Sequence, residues 1–278
     1  MRSASIIIRT KNEARSLGAT LDAVFAQALP PHEVFVIDSG SRDATLDIAA
    51  RYPVQILRLA PKDWNYSRAL NMGARAATGD FLVCLSAHCP PIDNNWLGDL
   101  LRHFEDPGVA AVWGPNLSPG RHVRQHGPPI RQEPGTYGVD NRLFGLVNSN
   151  SALRRSLWLE FPFDESLPAT EDKAWAMEAM ACGFCIVHDP AAAVWHERHP
   201  AINSFRRNRA VMAGYAMLFP ELSRSGSNPL FVMARGTWNK VVFHARARDR
   251  GKLWLDLKTA PSTFAAIFGN FFGSRGSH

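Results

Sequence analysis

Between residues 5 and 90 the chain alternates short apolar, β-favouring runs with stretches of helical period, and this alternation constrains its fold more than any other feature. Ser5–Arg9, Glu33–Ile37, Val54–Leu59 and the run that begins at Phe81 read as strands. Between them Leu17, Leu21, Val24 and Phe25 recur at helical spacing and Pro30-Pro31 ends that segment; Ala44–Arg51 and Ser67–Ala77 supply two more helices. Strands joined through helices at this spacing form a parallel sheet of right-handed βαβ units, because each crossover packs its helix back onto a face of the sheet. An α/β fold is therefore expected, a mostly parallel sheet flanked by helices. Ligands of such sheets bind at the carboxyl ends of the strands, so the residues leaving each strand matter most.

The Phe81 run stops at Ser86-Ala87-His88, and Pro90-Pro91 cannot continue a ladder. A doubly buried strand that ends on polar, metal-competent side chains carries them to the carboxyl edge. The first two strands end on Thr10-Lys-Asn-Glu13 and Asp38-Ser-Gly-Ser41, which a parallel sheet sets side by side. Asp38 is suited to accept from a base N–H or a ribose hydroxyl, and Ser39-Gly-Ser41 offers backbone N–H groups to a close ligand. Asp43 and Thr45 read as caps of the helix that follows.

The middle of the chain is less regular. Trp96–Phe104 reads as a helix, Val109–Trp113 as a strand, Asn116–Gly138 as one long loop and Val147–Arg154 as a strand. Glu171–Cys182 is a helix stopped by Gly183, and Cys185–His188 and Ala192–His196 read as short strands. After about Pro200 the chain turns basic, aromatic and helical, with Arg206, Arg207 and Arg209, a second basic group at Lys240–Lys252 and a Phe-rich end at Phe264–Phe272. The expected division is a domain over 1–204, with halves 1–90 and 91–204, and a basic helical extension over 205–278.

A net charge of +6 suits an anionic partner: a phosphorylated ligand, an anionic membrane surface or nucleic acid. Nothing but charge favours nucleic acid, so none is expected as a partner. The four cysteines, Cys84, Cys89, Cys182 and Cys185, fit no disulfide framework and read as buried, inert thiols despite the CxxC spacing of the last two. No segment has the h-region of a signal peptide or the apolar length of a membrane span, so a cytoplasmic protein, peripheral at most on the inner face of the membrane, is expected.

Ser5-Ile-Ile-Ile-Arg-Thr-Lys-Asn-Glu13, then Val36-Ile-Asp-Ser-Gly-Ser-Arg-Asp-Ala-Thr45, then Arg68-Ala-Leu-Asn71-Met-Gly73 with Ala77-Thr-Gly-Asp80, resemble in order the motifs of the family-two glycosyltransferases of GT-A, Rossmann-like fold. The likeness covers roughly residues 5–200 and includes bacterial rhamnosyltransferase-like members. It implies a nucleoside-diphosphate sugar donor held near Thr10, Asn12, Glu13, Asp38 and Ser39, with Arg68, Asn71 and Ser86 close by. It also implies a divalent metal, Mn2+ or Mg2+, at a DxD-like element after the fourth strand. This chain has Ser86-Ala87-His88 there, so both acids are replaced and His88 stands at the metal-contacting position. Imidazole suits manganese and other transition metals better than magnesium. His196 is the further metal candidate and His199 its reserve.

Thr170-Glu171-Asp172 opens a helix, where acids are favoured by the dipole alone. In the resembled family an acidic pair here supplies the general base, a role that carries over to Asp172 with Glu171 as helper. Trp175 lies on the same helix face and could stack on a sugar or pack in the core; Asn148 and Asn150 would border an acceptor pocket. The implied reaction is inverting transfer to a hydroxyl of a glycan or lipid-linked acceptor. A non-catalytic nucleotide-sugar binder is the rival, motivated by the replaced acids at 86–88.

Overall fold

In the computed structural model, residues 3–118, 127–135, 145–196 and 204–219 are described. The first half runs β1 (Ala4–Thr10), α1 (Leu17–Phe25), β2 (Glu33–Asp38), α2 (Thr45–Ala49), β3 (Gln55–Arg58), α3 (Tyr66–Ala76) and β4 (Phe81–Ser86). It continues with α4 (Trp96–Arg102), β5 (Val109–Trp113), β6 (Asn116–Leu117), β7 (Ile130–Gln132), β8 (Asn150–Arg154) and α5 (Arg155–Glu160). The last elements are α6 (Glu171–Ala181), β9 (Cys185–His188), β10 (Val194–Trp195) and α7 (Ser204–Leu218).

Eight strands form one sheet in the order β3-β2-β1-β4-β8-β5-β9-β7, and β6 pairs with β10 in a small second sheet. β1 is parallel to both β2 and β4, and β2 to β3, as the strand–helix alternation requires. Within the mixed half, β8 runs antiparallel to β4 and β5, and β7 antiparallel to β9. The strand order reverses at β1, where β2 leaves to one side and β4 returns on the other. That switch point opens a crevice beyond the carboxyl ends of β1 and β4.

β1 is buried on both faces, and its alternation divides the core in two. Ile6 and Ile8 pack with Leu17, Leu21, Trp96 and Leu100 beneath α1 and α4. Ile7 faces the other side, with Leu70, Leu157, Trp175 and Ala176 beneath α3, α5 and α6. Full burial of each isoleucine is worth about 1.5–3 kcal/mol, so this strand anchors both layers. Gly73 lets α3 seat directly on β1, since a Cβ there would lie 2.6 Å from the Ile7 side chain.

Three expectations need correction. Cys182, at the end of α6, is exposed, while Cys84, Cys89 and Cys185 are buried as expected. The stretch 116–138 is not one loop: within its described part, β6 and β7 form where two or three residues find a partner strand. The strand expected over Ala192–His196 is also only two residues long, Val194–Trp195, and belongs to the small sheet.

By compactness the chain divides into Met1–Ser166 with Glu171–Glu197, and Leu167–Thr170 with Arg198–His278. In the second unit, α7 places Gly214 against Thr170 and the Ala169 carbonyl, where no side chain would fit. Lys240–Lys252 and Phe264–Phe272 lie outside the described residues, as does His199.

Candidate active site

The β1 and β2 exits are bound to each other before any ligand is considered. Thr10 is level with Asp38, and Ser39 donates through its backbone N–H to the Thr10 carbonyl at 3.1 Å. Asp38 is buried and accepts from the backbone N–H of Gly40 at 3.0 Å and of Ser41 at 3.1 Å, closing a tight turn that Gly40 permits with φ of 85°. Asn12 donates through its N–H to Ser41 Oγ at 2.8 Å and accepts from the Arg42 N–H at 2.8 Å. Thr45 and Asp43 accept from the N–H groups of Glu13 and Ala14, so these two residues tie the loops together as well as starting α2. The Thr10 hydroxyl is buried at this edge with no hydrogen-bond partner among the described residues.

On β4, Ser86 is level with Arg9 of β1. The chain then turns: Cys89 N–H donates to the Ser86 carbonyl at 3.0 Å, and Thr20 Oγ1 donates to the Ala87 carbonyl at 2.8 Å. The Trp195 N–H donates to the Pro90 carbonyl at 2.9 Å and the Ile92 N–H to the Ala193 carbonyl at 3.2 Å, which sets Pro91 opposite Val194 and brings β10 alongside, and the His196 N–H donates to the Leu117 carbonyl at 2.7 Å. The His88 and His196 rings thus stand edge to face, centroids 5.0 Å apart. Glu13 Oε1 lies 3.0 Å from His88 Nδ1. One donor atom each from His88, Cys89 and His196 lies within 4.8 Å of the other two.

The acidic pair at the start of α6 meets the same edge through Arg9. The Arg9 guanidinium donates to Glu171 Oε1 at 3.2 Å, with both side chains nearly buried, and its plane lies over the Tyr66 ring. Asn148 Nδ2 donates to Glu171 Oε1 at 3.3 Å, and the Asn148 backbone N–H donates to Asp172 Oδ2 at 3.3 Å. Burial pushes the Glu171 carboxyl above the ordinary carboxylate range; the neighbouring Asp172 charge adds to the rise and Arg9 opposes it. Asp172 is the more accessible acid, with 18% of its side chain exposed against 6% for Glu171. One sheet edge therefore carries an imidazole–thiol cluster at the end of β4 and a carboxylate pair at the start of α6, with Arg9 between them. That combination can hold a cation beside an anionic ligand and present a carboxylate to a hydroxyl. A cavity of about 620 Å³, between Phe81, Phe104, Arg154 and Leu159, lies at the opposite, amino end of β4 and contains none of these residues.

Residues 5–158 of the 278 match the family described as Glycosyl transferase family 2. The chain belongs to that family. Among its relatives are the O-antigen chain rhamnosyltransferase RfbN of Salmonella typhimurium, 26% identical over 70% of this chain and 66% of its own, and WbaN of Salmonella anatum, 27% identical over 72% and 67%. The chain thus spans about two thirds of the length of these curated relatives. Similar solved structures include the Pyrobaculum calidifontis mannosyltransferase PcManGT with GDP-Man and Mn2+, with a TM-score of 0.61, 18% identity, and coverage of 100% of this chain and 77% of that one. Staphylococcus aureus TarS 1-349 with UDP-GlcNAc matches with a TM-score of 0.60 and 16% identity over 98% and 92%. The fold is GT-A.

Within this family-2 domain, several residues expected at the site are engaged elsewhere. Asn71 is buried; its amide donates to Phe163 and Glu165, while its carbonyl oxygen accepts from the Trp158 indole and the Phe163 N–H. Those bonds use its whole capacity, so it latches α3 to the 163–165 turn and is not a donor ligand. Arg68 joins the same latch through Glu165 at 3.0 Å. Trp175 is 3% exposed, packs beside Phe161 and Phe163 and donates to the Phe161 carbonyl, so it is core and has no face to offer a sugar. Asn148 and Asn150 are likewise buried: Asn148 orders the two acids, and Asn150 bridges Trp96 and the Ala192 carbonyl. Arg9, which reaches Glu171, and Cys89, which stands beside His88 and His196, are the residues at this edge that the sequence reading does not single out. A charged residue closing the apolar run of β1 was the signal for Arg9; for Cys89 there was only its place next to His88.

Proposed function

We propose that this chain is an inverting glycosyltransferase that moves a sugar from a nucleoside diphosphate to a hydroxyl of a glycan or lipid-linked acceptor in cell-surface polysaccharide synthesis. The observation that carries this reading is the single sheet edge holding both the His88 cluster and the α6 carboxylates. The donor's nucleoside lies against the Thr10–Glu13 and Asp38–Ser41 turns, and its diphosphate points toward Ser86 and His88. His88 and His196, with Glu13 fixing the ring of the first, are the residues that would hold a divalent cation, and imidazole is a fitting donor for Mn2+. When bound, the cation neutralises charge on the departing diphosphate.

Asp172 takes the proton of the acceptor hydroxyl as it attacks the anomeric carbon in line with the leaving group, which inverts that centre. Glu171, held by Arg9 and Asn148, keeps the start of α6 in register so that the Asp172 carboxylate faces the edge. PcManGT was solved with GDP-Man and TarS with UDP-GlcNAc, and the Salmonella relatives are named rhamnosyltransferases; nucleoside-diphosphate rhamnose is the first donor to try.

Asp172→Asn keeps the shape of the site and removes the base. The expected outcome is donor binding close to wild type, measured by calorimetry, with transfer lowered by about 10²–10⁴-fold. Turnover near wild type would take Asp172 out of the mechanism. Donor binding by the wild type with neither transfer nor donor hydrolysis would favour a non-catalytic binder.

A further inference from the structure

His88, Cys89 and His196 bring two imidazoles and a thiol to one point, and no carboxylate is among the three donors. We propose that Cys89 ligates here as a thiolate, making this a soft-donor site that takes zinc-class ions in preference to magnesium. The inference rests on the glycosyl-transfer reading only for what the ion would face. Cys89 is fully buried, and its position is fixed by the turn from Ser86 and by the Pro90–Trp195 bond. Its sulfur, a nitrogen of His88 and a nitrogen of His196 all lie within 4.8 Å of one another. The edges of a filled tetrahedral site are roughly 3.3–3.6 Å, from metal–nitrogen and metal–sulfur lengths of about 2.0 and 2.3 Å. Ligation therefore requires the three donors to draw together from within 4.8 Å to those edges.

Glu13 supports the same reading. With the His88 Nδ1–H donated to Glu13 Oε1, the ring is held in one orientation, as a carboxylate orients metal-binding histidines in general. Among the described residues three protein donors gather here, and thiolate with imidazole selects zinc or cobalt over magnesium. On binding, the thiol proton is released to solvent, so the ligands bring one negative charge.

The test uses the full chain, stripped of metal by chelation, in a Cys182→Ser background so that the exposed thiol does not compete. Cobalt(II) alone is the probe. The expected result is a thiolate-to-cobalt charge-transfer band in the near ultraviolet that saturates at one equivalent, is abolished by equimolar zinc and persists in a large excess of magnesium. Cys89→Ser should lose the band. Should that variant fail to fold, X-ray absorption of the zinc-loaded parent decides: a sulfur neighbour at about 2.3 Å supports the site, and a shell of nitrogen and oxygen alone overturns it. Absence of the band, its survival in folded Cys89→Ser, or displacement of cobalt by magnesium as readily as by zinc would also overturn it. The two readings fail separately. Transfer sustained by magnesium with no thiolate band sinks the site and leaves glycosyl transfer standing; a saturating band without transfer upholds the site and counts against the enzyme.

Discussion

Arg9 is a cation at the end of an otherwise apolar strand, and only a partner makes that position tolerable. Its guanidinium and the Glu171 carboxylate are both nearly buried, so removing one leaves the other without compensation. Arg9→Met is expected to destabilise the domain by about 3 kcal/mol in urea unfolding. Adding Glu171→Gln should recover much of that loss, because a neutral amide needs no counter-charge. If the double variant were as unstable as the sum of the two single changes, the pair would not be coupled as its geometry states. Asp172 is the opposite case. It keeps an accessible carboxylate and is held by the backbone N–H groups of Asn148 and Lys173, so its replacement tests chemistry more than folding.

At the scale of elements, one acid adds its charge to the bonds by which Asn65, Ser67 and Asn71 fasten α3 to the 163–165 turn. Glu165 accepts from Asn71, Arg68 and Arg75. The Asn71 hydrogen bond and then the two arginines hold its carboxyl down to about 2, against partial burial, from an ordinary value of 4.5. A folded-state value below the unfolded one means that the latch contributes its full stability above about pH 4.5 and loses it as pH falls toward 2. Glu165→Gln should therefore melt well below wild type at pH 7, and the difference should shrink steadily between pH 4.5 and pH 3. A difference independent of pH would show that the charge of Glu165 is not what holds α3.

The same scale shows what could be read in advance. β1, β2 and β4 were legible because each is an apolar run ended by a polar turn or proline. The parallel order followed from the helices between them. β6 and β7 were not legible, since strands of two or three residues in a Gly- and Pro-rich stretch carry no periodicity of their own. The antiparallel insertion of β8 between β4 and β5 is decided by tertiary pairing. The motif at Asn71 and the helix face of Trp175 do not by themselves distinguish a buried latch or a core indole from a ligand contact. The approach of His196 to Cys89 is likewise not legible, since it comes only through the pairing of β10 with β6 and with Pro91.

For the whole molecule, the account depends on a nucleotide edge and a carboxylate edge being the same edge. The register of Thr10 with Asp38, of Arg9 with Ser86 and the reach of Arg9 to Glu171 join them in three steps across the β1–β4 switch point. The large cavity at the amino end of β4, by contrast, offers arginines and aromatic surface with no acid pair and no metal-competent cluster. The two locations compete for one ligand, and a crystal of Asp172→Asn grown with an intact nucleoside-diphosphate sugar and Mn2+ separates them. The account predicts density for the nucleoside against Asp38 and Ser39, the diphosphate beside His88 and His196, and the anomeric carbon facing residue 172. Density for the nucleotide between Phe104 and Arg154, with the His88 edge bare, would contradict it.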